Sequence, residues 1–186
     1  MKPTLGIMKT TLDFSLLPDD SAFEKRSMLI GLPVDLRARL QPLLQTLERA
    51  DSAVMFAAHA GKQSEPWRAA AYLRAGLADY CAMEEVQSID APSTVALKIS
   101  ASLNPVLHLL ELLRHLNIHV KTVTTREHKI SAELEGQEFE MSTYVVTNLD
   151  AEDLAALRNG RRYSLADLQR MVEWFALKQD HWGQAT

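Results

Sequence analysis

Apolar residues recur every three or four positions from residue 36 to about residue 60, and this spacing predicts a long helix. Pro42 lies inside the periodic run, so it either delays the start of the helix or kinks it. Gly61 is the residue type that most often ends a helix. Residues 1–34 show no sustained period and are predicted to be irregular, with a short strand over residues 11–17.

A second helix is predicted from the chain after Gly61. Ser64 is a suitable N-cap, Pro66 fits the first helical turn, and the helix should end before Pro92. The many alanines in this segment favour a helix and indicate close approach to a neighbouring helix. The side chains predicted to be buried on this helix are Trp67, Ala70, Leu77, Tyr80 and Cys81.

A third helix is predicted from Asn104, as its cap, and Pro105, in its first turn, to about Val120. Successive residues of a helix are 100° apart, so leucines and valines line one face of it and polar residues line roughly the opposite face. The apolar row is Val106, Leu109, Leu113, Leu116 and Val120, and the polar row is His108, Glu111, His115 and His119.

The period changes from 3.6 to 2 near residue 128, which predicts a β-hairpin with Gly136 in its turn. Asp150 then caps a short helix that is predicted to end at Asn159-Gly160. Ser164 caps a last helix, with Asp167 three residues on. The apolar face predicted for that helix is Leu165, Leu168, Met171, Val172, Phe175 and Leu177.

The order of these elements predicts a mainly α, α+β protein: a bundle of three or four helices, then a hairpin and two C-terminal helices. A chain of 186 residues suits a single domain over 1–186. Within it we distinguish the irregular segment 1–34, a helical core over 35–120 and an appendage over 121–186 that holds the hairpin and the last helices.

Charge and cysteine content narrow the class of protein. A formal charge of −4 provides no overall field that attracts RNA, so an RNA-binding role needs a local basic surface. Cys81 is the single cysteine, which excludes an intramolecular disulfide. No apolar run reaches the ~18 residues of a membrane span, and the N-terminus lacks a signal-peptide pattern. The chain is therefore predicted to be cytoplasmic and not associated with a membrane.

The third helix carries the strongest candidate for chemistry, the sequence Arg-His-Leu-Asn-Ile-His over residues 114–119. Arg114 is a permanent cation whose planar donor fork suits phosphate. Histidine can take or give a proton near neutral pH, so His119 would activate a ribose 2′-hydroxyl or protonate the leaving oxygen during RNA cleavage. His115 would orient the other two residues. This chemistry requires no metal or other cofactor.

This pattern resembles the signature of the HEPN superfamily, in which an Arg precedes a polar residue, three further residues and a His. Arg114, His115 and His119 fill these places, and an alanine-rich helix precedes them, so the resemblance covers roughly residues 35–120. Many members are metal-independent ribonucleases of toxin–antitoxin, phage-defence or CRISPR systems, with a site that two protomers share. The resemblance implies a homodimer that cleaves or binds RNA, and a toxin or defence role adds a cognate protein partner.

Other interpretations stay open beside this one. Arg158, Arg161 and Arg162 form a small basic cluster that either contacts RNA or interacts with helix-terminal carbonyls. Glu111, His115 and His119 are four residues apart in succession, which is a spacing for zinc or iron ligands on one helix. A third interpretation is a non-enzymatic module that binds other proteins through its helical faces.

Overall fold

The computed structural model of the protein describes residues 9–18, 32–92, 98–119, 124–134 and 137–184. These residues form a mainly helical protein with one antiparallel hairpin, as the sequence pattern predicts. In chain order the elements are α1 (Val34–Leu40), α2 (Leu44–Gly61), α3 (Pro66–Asp90), α4 (Pro105–His119), β1 (Thr124–Leu134), β2 (Gln137–Thr147), α5 (Ala151–Ala156) and α6 (Leu165–Gln184).

Pro42 divides the predicted first helix into two. α1 ends at Leu40 and α2 begins at Leu44, because proline has no N–H for the helical ladder and its ring clashes with the preceding turn. The end at Gly61 is confirmed. The strand predicted over residues 11–17 is wrong, since Phe14–Leu16 is a short 3-10 helix.

Helices α2 and α3 run antiparallel and pack closely. The Asp90 carboxylate at the end of α3 accepts a hydrogen bond from the Thr46 backbone N–H at 2.7 Å, next to the start of α2. Midway along the pair, a Cβ atom on Gly76 would lie 3.2 Å from the Ala53 carbonyl oxygen. A glycine at this position therefore lets the two backbones approach. The prediction that Trp67 is buried is wrong: its side chain is 65% exposed, in the first turn of α3, where its ring lies beside Arg68.

The main core forms where α4 meets α3, α5 and α6. Leucines that recur along α4 pack against apolar residues of the other three helices, and burial of each such side chain is worth roughly 1.5–3 kcal/mol. The most deeply buried large side chains of this cluster are Leu109, Leu112, Leu113, Leu116, Leu154, Leu168 and Met171.

The last helix, α6, begins as predicted. The backbone N–H of Asp167 donates to Ser164 Oγ at 3.0 Å, which is an N-cap bond. Two residues predicted on its buried face are exposed, Leu165 and Leu177. Leu177 is nine residues after the buried Leu168, which places it on the opposite side of the helix, and Leu165 lies in the first turn.

The hairpin pairs β1 and β2 in antiparallel register from Thr124↔Thr147 to Leu134↔Gln137, so it is longer than predicted. The predicted turn residue Gly136 lies outside the described residues. The Gln179 side chain of α6 binds the backbone of β2: its Oε1 accepts from the Val146 N–H at 2.5 Å and its Nε2 donates to the Val146 carbonyl at 3.3 Å.

Candidate functional site

The start of α4 sets the position of the predicted motif. Asn104 Oδ1 accepts a hydrogen bond from the Val106 N–H at 2.9 Å, and Pro105 occupies the first helical position, as predicted. The buried leucine row of α4 fixes the rotation of the helix about its axis. As a result Glu111, Arg114 and His115 face α3 and the 3-10 turn Ile99–Ala101.

A pocket of about 210 Å³ lies between these elements. α3 contributes small residues and two carboxylates to it, the 3-10 turn contributes one apolar side chain, and α4 contributes the motif residues. The lining residues are Ala78, Cys81, Ala82, Glu84, Glu85, Ile99, Glu111, Arg114 and His115.

Arg114 is the central group of this pocket. Its Nε atom is buried and has no hydrogen-bond partner, and the guanidinium makes no ion pair within the part of the chain that the structure describes. Burial raises the pKa of the neighbouring Cys81 thiol to about 11, and the positive charge of Arg114 opposes this rise. Cys81 is therefore a neutral thiol at physiological pH and adds no charge to the pocket.

His115 is held by the loop that follows α5. Its Nε2 lies 3.0 Å from Asn159 Nδ2 and 3.9 Å from Glu111 Oε1. An amide NH₂ is a donor, so Nε2 accepts this hydrogen bond and the neutral ring carries its proton on Nδ1. Asn159 also donates to Glu111 Oε1 at 3.3 Å, so one amide fixes two residues of the pocket wall.

The predicted basic cluster is divided by the structure. The Arg162 side chain turns inward, where its NH2 nitrogen donates to Glu111 Oε2 at 2.5 Å and its Nε donates to the Tyr163 hydroxyl at 2.8 Å. Arg158 and Arg161 are exposed. Glu111 is therefore paired with Arg162, and Arg158 and Arg161 are the two exposed residues of the cluster.

His108, which belongs to the polar row of α4, is buried in the structure. Its side chain is 0% exposed, its Nε2 donates to the Ser102 carbonyl at 2.8 Å, and its Nδ1 accepts from the Tyr163 hydroxyl at 2.7 Å. Burial lowers the pKa of His108, against the opposing effect of the Ser102 carbonyl, so the ring is neutral at pH 7. His108 is a buried polar residue of the core with both nitrogens bonded.

The loop that carries Asn159 and Arg162 packs tightly against α5. Asp150 caps α5, since its Oδ1 accepts from the Asp153 N–H at 2.7 Å, as predicted. α5 ends at Ala156, earlier than predicted, and a 3-10 turn follows over Gly160–Arg162. A Cβ atom on Gly160 would lie only 1.8 Å from the Leu154 carbonyl oxygen, so only glycine fits there.

The side chain of His119 lies outside the described residues, although its backbone ends α4. The predicted meeting of Arg114 with His119 therefore stays a prediction. The predicted role of His119 as a metal ligand stays a prediction for the same reason. Among the described side chains, no group of three or more His, Cys, Asp or Glu residues could hold a metal ion.

Several residues of the pocket lie outside the predicted motif. Cys81 and Glu84 lie three residues apart on α3, and Ala78 is three residues before Cys81, which is the spacing of one helical face. That spacing was a signal in the sequence. No local pattern predicts that Asn159 and Tyr163 meet α4, because they contact it across more than 40 residues of chain.

Within the described ranges, no helix is long and apolar enough to cross a membrane. Comparisons of this chain with protein families, with characterised proteins and with solved structures find no match. The resemblance to HEPN proteins thus rests on the motif and on the alanine-rich helix that precedes it.

Proposed function

We propose that this protein binds single-stranded RNA and that Arg114 donates hydrogen bonds to an acceptor on the RNA. The proposal depends on one observation: Arg114 lines a pocket, and its buried Nε has no acceptor among the residues that the structure describes. A buried donor that lacks a partner costs roughly 1–3 kcal/mol. Native proteins rarely keep such a donor unless a water, an ion or a ligand satisfies it.

Nearby cations favour a nucleic acid as the ligand. Arg158 and Arg161 are exposed on the loop whose Asn159 contacts His115, and no described carboxylate pairs with them. Lys98 is exposed and directly precedes Ile99, which lines the pocket. Contacts of such side chains with phosphates position a nucleic acid, whereas contacts with its bases determine which sequence is bound.

RNA cleavage is the stronger form of the same proposal. In the HEPN-like assignment His119 is the acid–base residue, His115 orients the site and no metal takes part. His115 has the fixed position that such a role requires, because Asn159 holds its Nε2. Cleavage also requires that the phosphate next to the bound nucleotide lie within reach of His119.

Binding is tested by fluorescence anisotropy with a labelled 12-residue single-stranded RNA at 50 mM and 200 mM salt. We expect Arg114→Met to weaken binding about tenfold, whereas Arg39→Met, which removes an exposed cation of α1, should leave it within about twofold. The double change Arg158→Met/Arg161→Met should also lower the salt dependence of binding. No binding by the parent protein, or equal binding by Arg114→Met, would overturn the proposal.

Cleavage is tested on the same RNA in EDTA, with products separated on a gel. The nuclease form of the proposal requires activity that Arg114→Ala and His119→Ala both abolish and that His59→Ala retains. His59 is an exposed histidine near the end of α2 and serves as the matched control. RNA that is bound but stays intact would limit the function to binding.

A second candidate function is a non-enzymatic interaction module. Leu44 and Ile89 are each 61% exposed, and they lie at the same end of the α2–α3 pair, where Asp90 contacts Thr46. Exposed apolar residues that lie together mark protein interaction surfaces. In a light-scattering measurement of mass, Leu44→Ser and Ile89→Ser should release a bound copy or partner. If the parent protein itself has the mass of a monomer, self-association is contradicted.

A further inference from the structure

The charges around Arg114 restrict what the pocket can bind. Glu84, Glu85 and Glu111 line the same volume of about 210 Å³ as the single guanidinium of Arg114. Arg162 pairs with Glu111, but Glu84 and Glu85 make no ion pair among the described residues, so a phosphate there would lie beside two uncompensated carboxylates and be repelled by them. The pocket therefore favours an uncharged group that offers acceptors to Arg114 and donors to a carboxylate.

Glu84 is the carboxylate best placed to receive such donors. Its Oε2 accepts the Ile99 N–H at 2.9 Å, which holds the side chain in position at the pocket wall. Its second oxygen has no partner among the described residues. Glu111, in contrast, already accepts hydrogen bonds from Arg162 and Asn159, so it has less capacity for a ligand.

Guanine matches this arrangement of donors and acceptors. Its O6 and N7 atoms accept two parallel hydrogen bonds from an arginine fork, and its N1–H and N2 amino group donate toward a carboxylate. Drug-sized ligands occupy pockets of about 300–1,000 Å³, so the smaller volume here suits a single flat base. Ala78, Ala82 and Ile99 offer apolar contact area for the ring faces.

We infer that the pocket between α3 and α4 binds one unstacked guanine of a single-stranded RNA, with Arg114 on its O6/N7 edge and Glu84 on its N1/N2 edge. This inference rests on the proposed RNA-binding function and adds a base preference to it. Under this assignment Arg114 reads a base, and the contacts with phosphates fall to Arg158, Arg161 and Lys98. Recognition of a splayed base on its hydrogen-bonding edges is how proteins read single-stranded RNA.

The test compares labelled uridine heptamers that carry one central guanine, adenine, cytosine, inosine or 7-deazaguanine. Inosine lacks the N2 amino group, and 7-deazaguanine lacks the N7 acceptor. We expect the guanine oligomer to bind about five- to a hundredfold more tightly than the adenine oligomer. Inosine and 7-deazaguanine should each fall between these two.

Variants assign each edge of the base to one residue. In Arg114→Met, guanine and 7-deazaguanine should bind equally, and in Glu84→Gln, guanine and inosine should bind within about twofold of each other. Arg39→Met and Glu48→Gln change exposed residues of α1 and α2 and should keep the parent's preferences. If Arg114→Met fails to fold, the modified oligomers still test the O6/N7 contact on the parent protein.

The outcomes separate the two proposals. RNA that binds with equal affinity whatever the central base overturns the guanine inference and leaves RNA binding in place. A preference for adenine or cytosine also overturns it. No detectable binding of any oligomer overturns both proposals.

Discussion

Tyr163→Phe removes one oxygen atom from a network of buried hydrogen bonds and leaves the aromatic ring in place. The Tyr163 hydroxyl donates to His108 Nδ1 at 2.7 Å and accepts from Arg162 Nε at 2.8 Å. Phenylalanine fills the same space, so the substitution creates no sizeable cavity. Its effect on stability therefore measures the polar contacts of the hydroxyl.

The expected loss follows from burial. His108 is 0% exposed and Tyr163 is 2% exposed, so His108 Nδ1 would remain buried without a donor. Leaving such a group unpaired costs roughly 1–3 kcal/mol, whereas Arg162 keeps its ion pair with Glu111 and adds little to the loss. For a chain of this length the loss corresponds to a decrease in Tm of about 2–12 °C.

Urea unfolding at pH 7.5, followed by circular dichroism, measures this loss. Tyr144→Phe is the matched control, because the hydroxyl of this half-buried tyrosine has no described hydrogen bond, and its effect should stay within about 0.5 kcal/mol. The double variant Tyr163→Phe/His108→Leu should lose less than the sum of the two single variants. A free energy of unfolding for Tyr163→Phe within about 0.5 kcal/mol of the parent would refute the buried network.

Three further predictions concern His108, Gly160 and Cys81. The pKa of His108 is lowered by burial, so the unfolded state takes up its proton first as the pH falls. The free energy of unfolding should therefore level off above about pH 6.5 and decrease below it, and His108→Gln should flatten this dependence in a urea titration. Gly160→Ala should cost about 1–3 kcal/mol or more in the same assay, since its Cβ would overlap the Leu154 carbonyl, and an unchanged midpoint would contradict the loop geometry. The Cys81 pKa of about 11, against an ordinary 9.0, predicts a thiolate fraction about a hundredfold smaller at pH 8, so alkylation by iodoacetamide should be slow in the folded protein and fast in urea.

Local signals in the sequence predicted most helix starts, although the N-cap of α3 is Glu65, without a side-chain hydrogen bond, and not the predicted Ser64. The N-cap at Asn104, the proline at residue 105 and the caps at Asp150 and Ser164 are all confirmed. These features depend on side chains that bond the backbone two or three residues away, so they are visible in a short window of sequence. The change of period near residue 128 likewise predicted the hairpin.

Sequence pattern and structure differ where tertiary packing decides the outcome. His108 lies on the polar side of α4 by its spacing, yet Tyr163, which is 55 residues away in sequence, supplies a partner that allows its burial. Trp67 is apolar but lies in the first turn of α3, where it remains exposed. Residue type and period indicate whether a side chain tends to be buried or exposed. They do not indicate which distant residue the fold places beside it.

The candidate site was predictable only in part. The motif indicated Arg114 and His115 from sequence, and both line the pocket. Glu111 and Arg162 are 51 positions apart, so no local sequence pattern predicts that they pair. This pairing turns Arg162 away from the other two arginines of the predicted cluster. Glu84 was visible in the sequence only as one of two adjacent acidic residues on a helix.

The Nε–H of Arg114 itself offers the most direct test of the central claim. A ¹H–¹⁵N spectrum of the arginine Nε region, assigned with Arg114→Lys, should show a slowly exchanging resonance, because this atom is buried. Addition of single-stranded RNA should shift that resonance at the concentrations that saturate anisotropy, and the resonance of Arg39 should stay in place. An Arg114 resonance that does not move while RNA is fully bound would contradict the account.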